Sequence, residues 1–204
     1  MGYFSQAGSL LVHVVLGIIV LIVMLRYLFQ AVRVDFSNPI SQGIYRLTNP
    51  IIVPFRKFIP GFRSVDLPTI VLLVLLQYLL LTLLNFISGA DLQLLRNIIE
   101  VPFGLFNLML NVYIFSILIM IVVSWIQPAG YNPVLGLLTQ LIHPILAPLR
   151  KRIPFAGGFD FSPIIALIVI TLIKMAIPFL YIAVVKVLSL SYGAFDINLG
   201  RGAI

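Results

Sequence analysis

Residues 38–66 read NPISQGIYRLTNPIIVPFRKFIPGFRSVD, and 94 positions later residues 132–160 read NPVLGLLTQLIHPILAPLRKRIPFAGGFD, aligned without a gap. Eleven of the 29 positions are identical: Asn38/Asn132, Pro39/Pro133, Leu47/Leu141, Pro50/Pro144, Ile51/Ile145, Pro54/Pro148, Arg56/Arg150, Lys57/Lys151, Ile59/Ile153, Pro60/Pro154 and Asp66/Asp160. These are mostly residues that dictate backbone direction and charge rather than generic Leu or Val. We read the pair as an internal duplication, each copy building the same object at the same depth.

Asn38-Pro39 and Asn132-Pro133 are helix starts, because the Asn side chain accepts from a free amide and Pro at the first helical position loses no bond. Ile40, Ile44, Leu47 and Ile51 recur at helical spacing with Ser41, Gln42, Arg46 and Asn49 on other faces. An amphipathic helix lying in the membrane interface is therefore expected, its regular length limited by Pro50. In the second copy Val134, Leu138, Leu141 and Ile145 repeat the stripe, while Leu135, Leu137 and Ile142 widen it, so that helix is expected to sit deeper or against protein. The prolines of Pro-x-Arg-Lys-x-Ile-Pro are expected to deny the next segment regular hydrogen bonding. It presents Arg56, Lys57 and Arg63 in one copy and Arg150, Lys151 and Arg152 in the other. Near an anionic leaflet these six cations contribute at most about 6 kcal/mol of attraction. Asp66 and Asp160 stand where the next spans begin, as caps against helix N-termini and within reach of the arginines.

Working outward, the chain is 61% apolar and 9% charged, too little polar surface to cover a soluble globule. Apolar runs predict four transmembrane helices at about 10–32, 67–88, 103–126 and 161–190. The chain thus divides into a first repeat, 1–88, a connecting loop, 89–102, that has room for a short surface helix, and a second repeat, 103–204. The first run is too long for a signal-peptide core and is read as a retained span. Arg26 lies near the end of span one, from where its apolar stem lets it snorkel. Gln77 is expected to glue helices together, Asn107 and Asn111 share one face, and Trp125 anchors an interface. Lys174 stands near mid-span, where a charge costs about 2.5 to 3.5 kcal/mol, so it is expected to face protein or a wet cavity and to find an acid, an Asn or the carbonyl that Pro178 frees.

Between spans one and two lie five Lys or Arg and between spans three and four lie three, against Arg96 and Arg201 on the other side. The positive-inside rule then makes residues 33–66 and 127–160 cytoplasmic and both termini external. Two spans per repeat give both copies one orientation, related by an approximate two-fold axis along the membrane normal. His13, Asn85, Asn107, Asn111 and Lys174 fall in the outer half, where they form a polar cluster if their faces meet.

The absence of Cys excludes disulfides and thiolate metal sites, and two His with six acids leave little for acid-base or metal chemistry. No phosphate loop, nucleophile elbow or acidic dyad is present, so neither enzyme activity nor a cofactor is expected. His13 and His143 read as capping or interfacial residues. The net charge of +7 points to anionic phospholipid before nucleic acid.

The repeated Pro-x-x-x-Pro-x-Arg-Lys-x-Ile-Pro followed by Asp, set between apolar spans, resembles the YggT family, called YlmG in chloroplasts and Gram-positive bacteria. HPILAPLRKRIPFAGGFDFSP, residues 143–163, is similar to the family motif almost throughout, while the first copy carries Arg63-Ser64 in place of the glycine pair. The resemblance implies a bacterial inner-membrane protein with relatives tied to membrane-complex biogenesis, division- or nucleoid-linked roles, and osmotic or potassium stress. It brings no catalytic residues. Two functions are expected to compete: a scaffold or assembly factor whose basic platforms engage anionic lipid and a membrane or cytosolic protein, and a small transporter or channel subunit that needs homo-oligomerisation to complete a path.

Overall fold

The computed structural model describes residues 2–59, 61, 66–89, 93–126, 132–152 and 160–192, without the side chains of 124–126 and 189–192. Arg63, Pro60 and Pro154 lie outside the described residues, as does the side chain of the Trp125 anchor. Six helices follow in order: α1 Tyr3–Ala31, α2 Pro39–Phe58, α3 Leu67–Ile87, α4 Leu94–Ile126, α5 Pro133–Arg150 and α6 Ser162–Tyr192. The protein is all-α, and α1, α3, α4 and α6 each carry a stretch long and apolar enough to cross a membrane.

The two short helices begin where the Asn-Pro pairs require. The Asn38 side chain accepts from the Ile40 amide at 2.9 Å, and Asn132 accepts from Val134 at 2.9 Å. Their ends differ from the expectation. Pro50 does not limit α2, and the Arg-Lys pair is not in an irregular segment: α2 runs through Pro50 and Pro54 with Arg56 and Lys57 in its last turn, and α5 runs through Pro144 and Pro148 to Arg150. All four prolines are exposed and stand one turn apart on one face. The carbonyls they deprive of a partner therefore lie on the outward side, where water or headgroups can satisfy them.

The first helix ends in a Schellman turn with Arg33 rather than Gly at the left-handed position, φ 56. The Val34 amide donates to the Phe29 carbonyl at 2.9 Å, and Val34 packs into the core at 1% exposure. That turn sets the direction from which α2 returns. The connecting loop is shorter than the sequence suggests, because α4 starts at Leu94 and includes Pro102. Asn97, read as loop, is buried; its side chain accepts from Asn85 at 3.0 Å and donates to Thr82 at 3.2 Å, which docks the start of α4 on the end of α3.

Dry packing occupies the half of the bundle nearest α2 and α5. Val20, Val23, Met24, Leu28 and Phe29 of α1 meet Ile52, Leu72, Leu73, Val112, Leu137 and Leu141 in one cluster. Leu110, Ile117, Ile142, Leu146, Ala166 and Ile170 form the other. The copies touch through α1 with α4 and α2 with α5, as a two-fold axis requires, but α3 packs against α4 while α6 has no comparable packing against α1. A closed two-fold pair is thus not formed. The polar residues that bind α3 to α4 explain this, since 94 positions on from Thr82 and Asn85 stand Ala176 and Phe179, both exposed and with nothing to donate.

Candidate functional site

The basic ends of α2 and α5 are each tied to the start of the following span. Arg56 Nη2 donates to Asp66 Oδ2 at 3.0 Å, and Arg150 Nε donates to Asp160 Oδ2 at 2.9 Å. Both aspartates pair with the arginine ten residues earlier, and only Asp160 also caps, accepting from the Ser162 amide at 2.9 Å. Pro68 stands where Ser162 would and has no amide to offer, so Asp66 takes the Thr69 hydroxyl at 2.7 Å instead. With one arginine per copy committed, Lys57, Lys151 and Arg152 remain exposed. The apolar residues of α2 divide: Ile40 and Ile44 pack on the core, whereas Leu47 (66% exposed), Ile51 and Phe58 (85%) face outward beside Arg46 and Lys57. Most of the matching stripe of α5 is turned into protein, with Leu138 and Leu141 buried, while Val134 at its start stays exposed. The two helix starts are joined where the Asn38 amide donates to the Pro133 carbonyl at 2.7 Å.

For Asp160, partial burial pushes the carboxyl up, but hydrogen bonds from the Ser162 hydroxyl and amide, together with Arg150, outweigh it and hold the group below its usual value. Its tie is therefore complete at pH above the unfolded carboxyl value, about 3.9, and is lost as pH falls through the lower folded value.

A residue with an unremarkable expectation holds the first platform in place. Arg26 does not snorkel: it is 1% exposed, and its Nη1 donates to Thr48 Oγ1 and Asn49 Oδ1, both at 2.7 Å, and to the Tyr45 carbonyl at 3.3 Å. The guanidinium also lies 4.3 Å from the centre of the Tyr45 ring. In the second copy the same positions hold Met120, Ile142, His143 and Thr139. The docking of the short helix on the preceding span is thus polar in one repeat and largely apolar in the other.

On the side away from the dry core, α4 presents Glu100, Gly104, Asn107 and Asn111 at helical spacing. A cavity of about 500 Å³ is lined by His13, Gln77, Gly104, Asn107 and Asn111 among others, and a second of about 340 Å³ by Glu100, Gly104, Asn107, Lys174, Pro178 and Tyr181. Gly104 has a packing reason, since a Cβ there would come within 2.8 Å of the Gln77 amide nitrogen. Lys174 Nζ donates to Asn111 Oδ1 at 2.6 Å, so the mid-span cation has the Asn partner its depth calls for. His13, Asn107, Asn111 and Lys174 gather as expected, whereas Asn85 turns to Asn97 instead. Glu100 and Tyr181 complete the groove and were not read from the sequence, because Pro102 made the Glu100 region look like loop. Asn111→Leu strands the ammonium and is expected to cost about 2 kcal/mol of thermal stability in detergent, and adding Lys174→Met is expected to restore most of it; the double variant melting no higher than the single one would refute this account.

The family description CCB3/YggT matches residues 5–87 and again residues 99–181, a displacement of 94 that equals the register of the internal repeat. An uncharacterized protein of Pseudomonas aeruginosa is 40% identical over 163 residues, covering 77% of this chain and 81% of its own. The uncharacterized protein YggT of Escherichia coli K12 is 30% identical over 176 residues, 83% of this chain and 88% of its own, and one of Vibrio alginolyticus is 31% identical over 166 residues, 78% and 87%. No solved structure matches. With both repeats matched in the register that the proline and aspartate frame defines, the chain belongs to the CCB3/YggT family.

Proposed function

We propose that the protein is a non-enzymatic scaffold or assembly factor of the bacterial inner membrane, with residues 33–66 and 127–160 on the cytoplasmic side, whose α2 and α5 ends engage anionic phospholipid and a protein partner. One observation carries the reading: in both repeats a proline-containing helix ends on a basic pair whose arginine is tied to the aspartate ten residues on, leaving Lys57 exposed beside Leu47, Ile51 and Phe58 of α2, and Lys151 and Arg152 exposed at the end of α5. Fixed cations next to apolar side chains suit a headgroup surface, and the outward stripe of α2 suits a helix of a partner. A transporter subunit is the second reading, favoured by the polar groove; against it, Leu110, Ile117 and Ile170, near Asn111 and Lys174 in sequence, are packed in a buried apolar cluster.

The test is purification from native membranes in mild detergent, comparing wild type with Lys57→Gln, Lys151→Gln and Arg152→Gln combined, a variant that spares both ties. Loss of co-purifying protein and a several-fold drop in anionic phospholipid are expected. Unchanged association, together with ion flux by the purified chain in liposomes, would transfer the assignment to the second reading. For orientation, alkaline phosphatase fused near Arg96 is expected to be active and near Arg152 inactive; the reverse pattern would invert the platforms.

A further inference from the structure

We propose that the groove along α4 holds the headgroup of a zwitterionic phospholipid of the ethanolamine type, entering sideways from the bilayer between α1 and α6. The two cavities share Gly104 and Asn107 and so adjoin along one face of α4. The packing of α3 on α4 closes it on one flank, and no comparable packing of α6 on α1 closes the other. From the end where α4 begins, Arg96 stands at the rim with its guanidinium committed to the Tyr181 hydroxyl at 2.9 Å, then comes Glu100, and Lys174 lies deeper with Asn107 and Asn111. Glu100 and Asn107 are seven residues apart, about 10 Å along the helix, a span that two side chains and an ethanolamine phosphate fill together. A lipid entering sideways places its ammonium toward Glu100 and its phosphate toward Lys174, while its acyl chains leave through the open flank between α1 and α6 into the bilayer.

Neither charge is neutralised within the described residues. Glu100 makes no ion pair there, and Lys174 has the neutral Asn111 as its partner. Half-buried charges in a low-dielectric slab require compensation, and a zwitterion supplies both signs at once. An anionic headgroup would set a phosphate against Lys174 and leave Glu100 uncompensated, while a choline group lacks the N–H donors that a carboxylate accepts from.

The full chain is placed in nanodiscs of equal phosphatidylethanolamine, phosphatidylcholine and phosphatidylglycerol, released in mild detergent, and its retained lipid counted by native mass spectrometry. Phosphatidylethanolamine is expected to be retained selectively, and Glu100→Gln and Lys174→Met each to cut that retention about tenfold, the loss of one charge-assisted contact. Glu100→Asp and Lys174→Arg keep the charges and are expected to retain the lipid; equal loss in these variants would trace the effect to packing and overturn the proposal. It is also overturned if lipids are retained in the proportions of the mixture, if phosphatidylglycerol is enriched instead, or if soluble phosphoethanolamine binds while no lipid is held. Cross-linking of Val14→Cys to Met175→Cys between two chains, with no lipid retained, would assign the open flank to a second copy.

Discussion

Arg26→Met is expected to destabilise the protein by about 4 kcal/mol, the largest effect of any single substitution considered, because charge-assisted hydrogen bonds are worth about 1.5 to 3 kcal/mol and a desolvated cation–π contact about 2. The change removes all three bonds from Nη1 and takes the charged donor away from the buried Thr48 hydroxyl and from Asn49 on α2. The second repeat supplies a control, since Met120 and Ile142 occupy the equivalent positions and Ile142 is fully buried. Arg26→Met combined with Thr48→Ile copies that solution, and the pair is expected to recover more than half of the loss, because replacing both partners by apolar groups avoids a stranded polar atom. Thermal unfolding of the three variants in one detergent measures the coupling. If Arg26→Met alone melts with wild type, the buttress has no energetic weight, and α2 is held by Ile52 and its apolar neighbours.

Asp66→Ala is expected to cost about 2 kcal/mol and Asp160→Ala under about 1, although the two residues occupy equivalent places in the repeat. The difference follows from burial. Asp66 is 5% exposed and accepts from the buried Thr69 hydroxyl at 2.7 Å as well as from Arg56; the Arg56 side chain is itself 46% exposed, so solvent screens that pair and the larger loss comes from the buried bond to Thr69. At the second tie both side chains are partly exposed, 38% for Arg150 and 25% for Asp160, and solvent screens what the pair gains. The Asp160 contribution is present at neutral pH and is lost only on acidification through its lowered folded value, so Asp160→Ala and wild type are expected to converge in melting temperature below about pH 3. Equal losses at the two sites would show that burial does not decide the strength of the tie. A gap that persisted at low pH would show that Asp160 acts through packing rather than charge.

The sequence by itself determined the four spans, the two helix starts and the equivalence of the repeats. Each of these is written locally: a run of apolar residues matches the bilayer thickness, Asn-Pro satisfies its own first turn, and an identical frame of proline, arginine and aspartate recurs in register. The ten-residue spacing put Asp66 within reach of Arg56 and Asp160 within reach of Arg150, so the ties were foreseeable as partners. Their unequal burial was not. Only the tertiary structure decided that Pro50 and Pro54 sit on an outward face where a helix tolerates them, since the same prolines turned inward would have left buried carbonyls without partners and ended α2. It also decided that Arg26 turns to Thr48 and Asn49 rather than to headgroups, that Asn97 docks α4 on α3, and that α6 leaves α1 uncovered. In each case the outcome depends on which face of one helix meets which face of another far away in sequence, and side-chain spacing along a single helix carries no information about its partner.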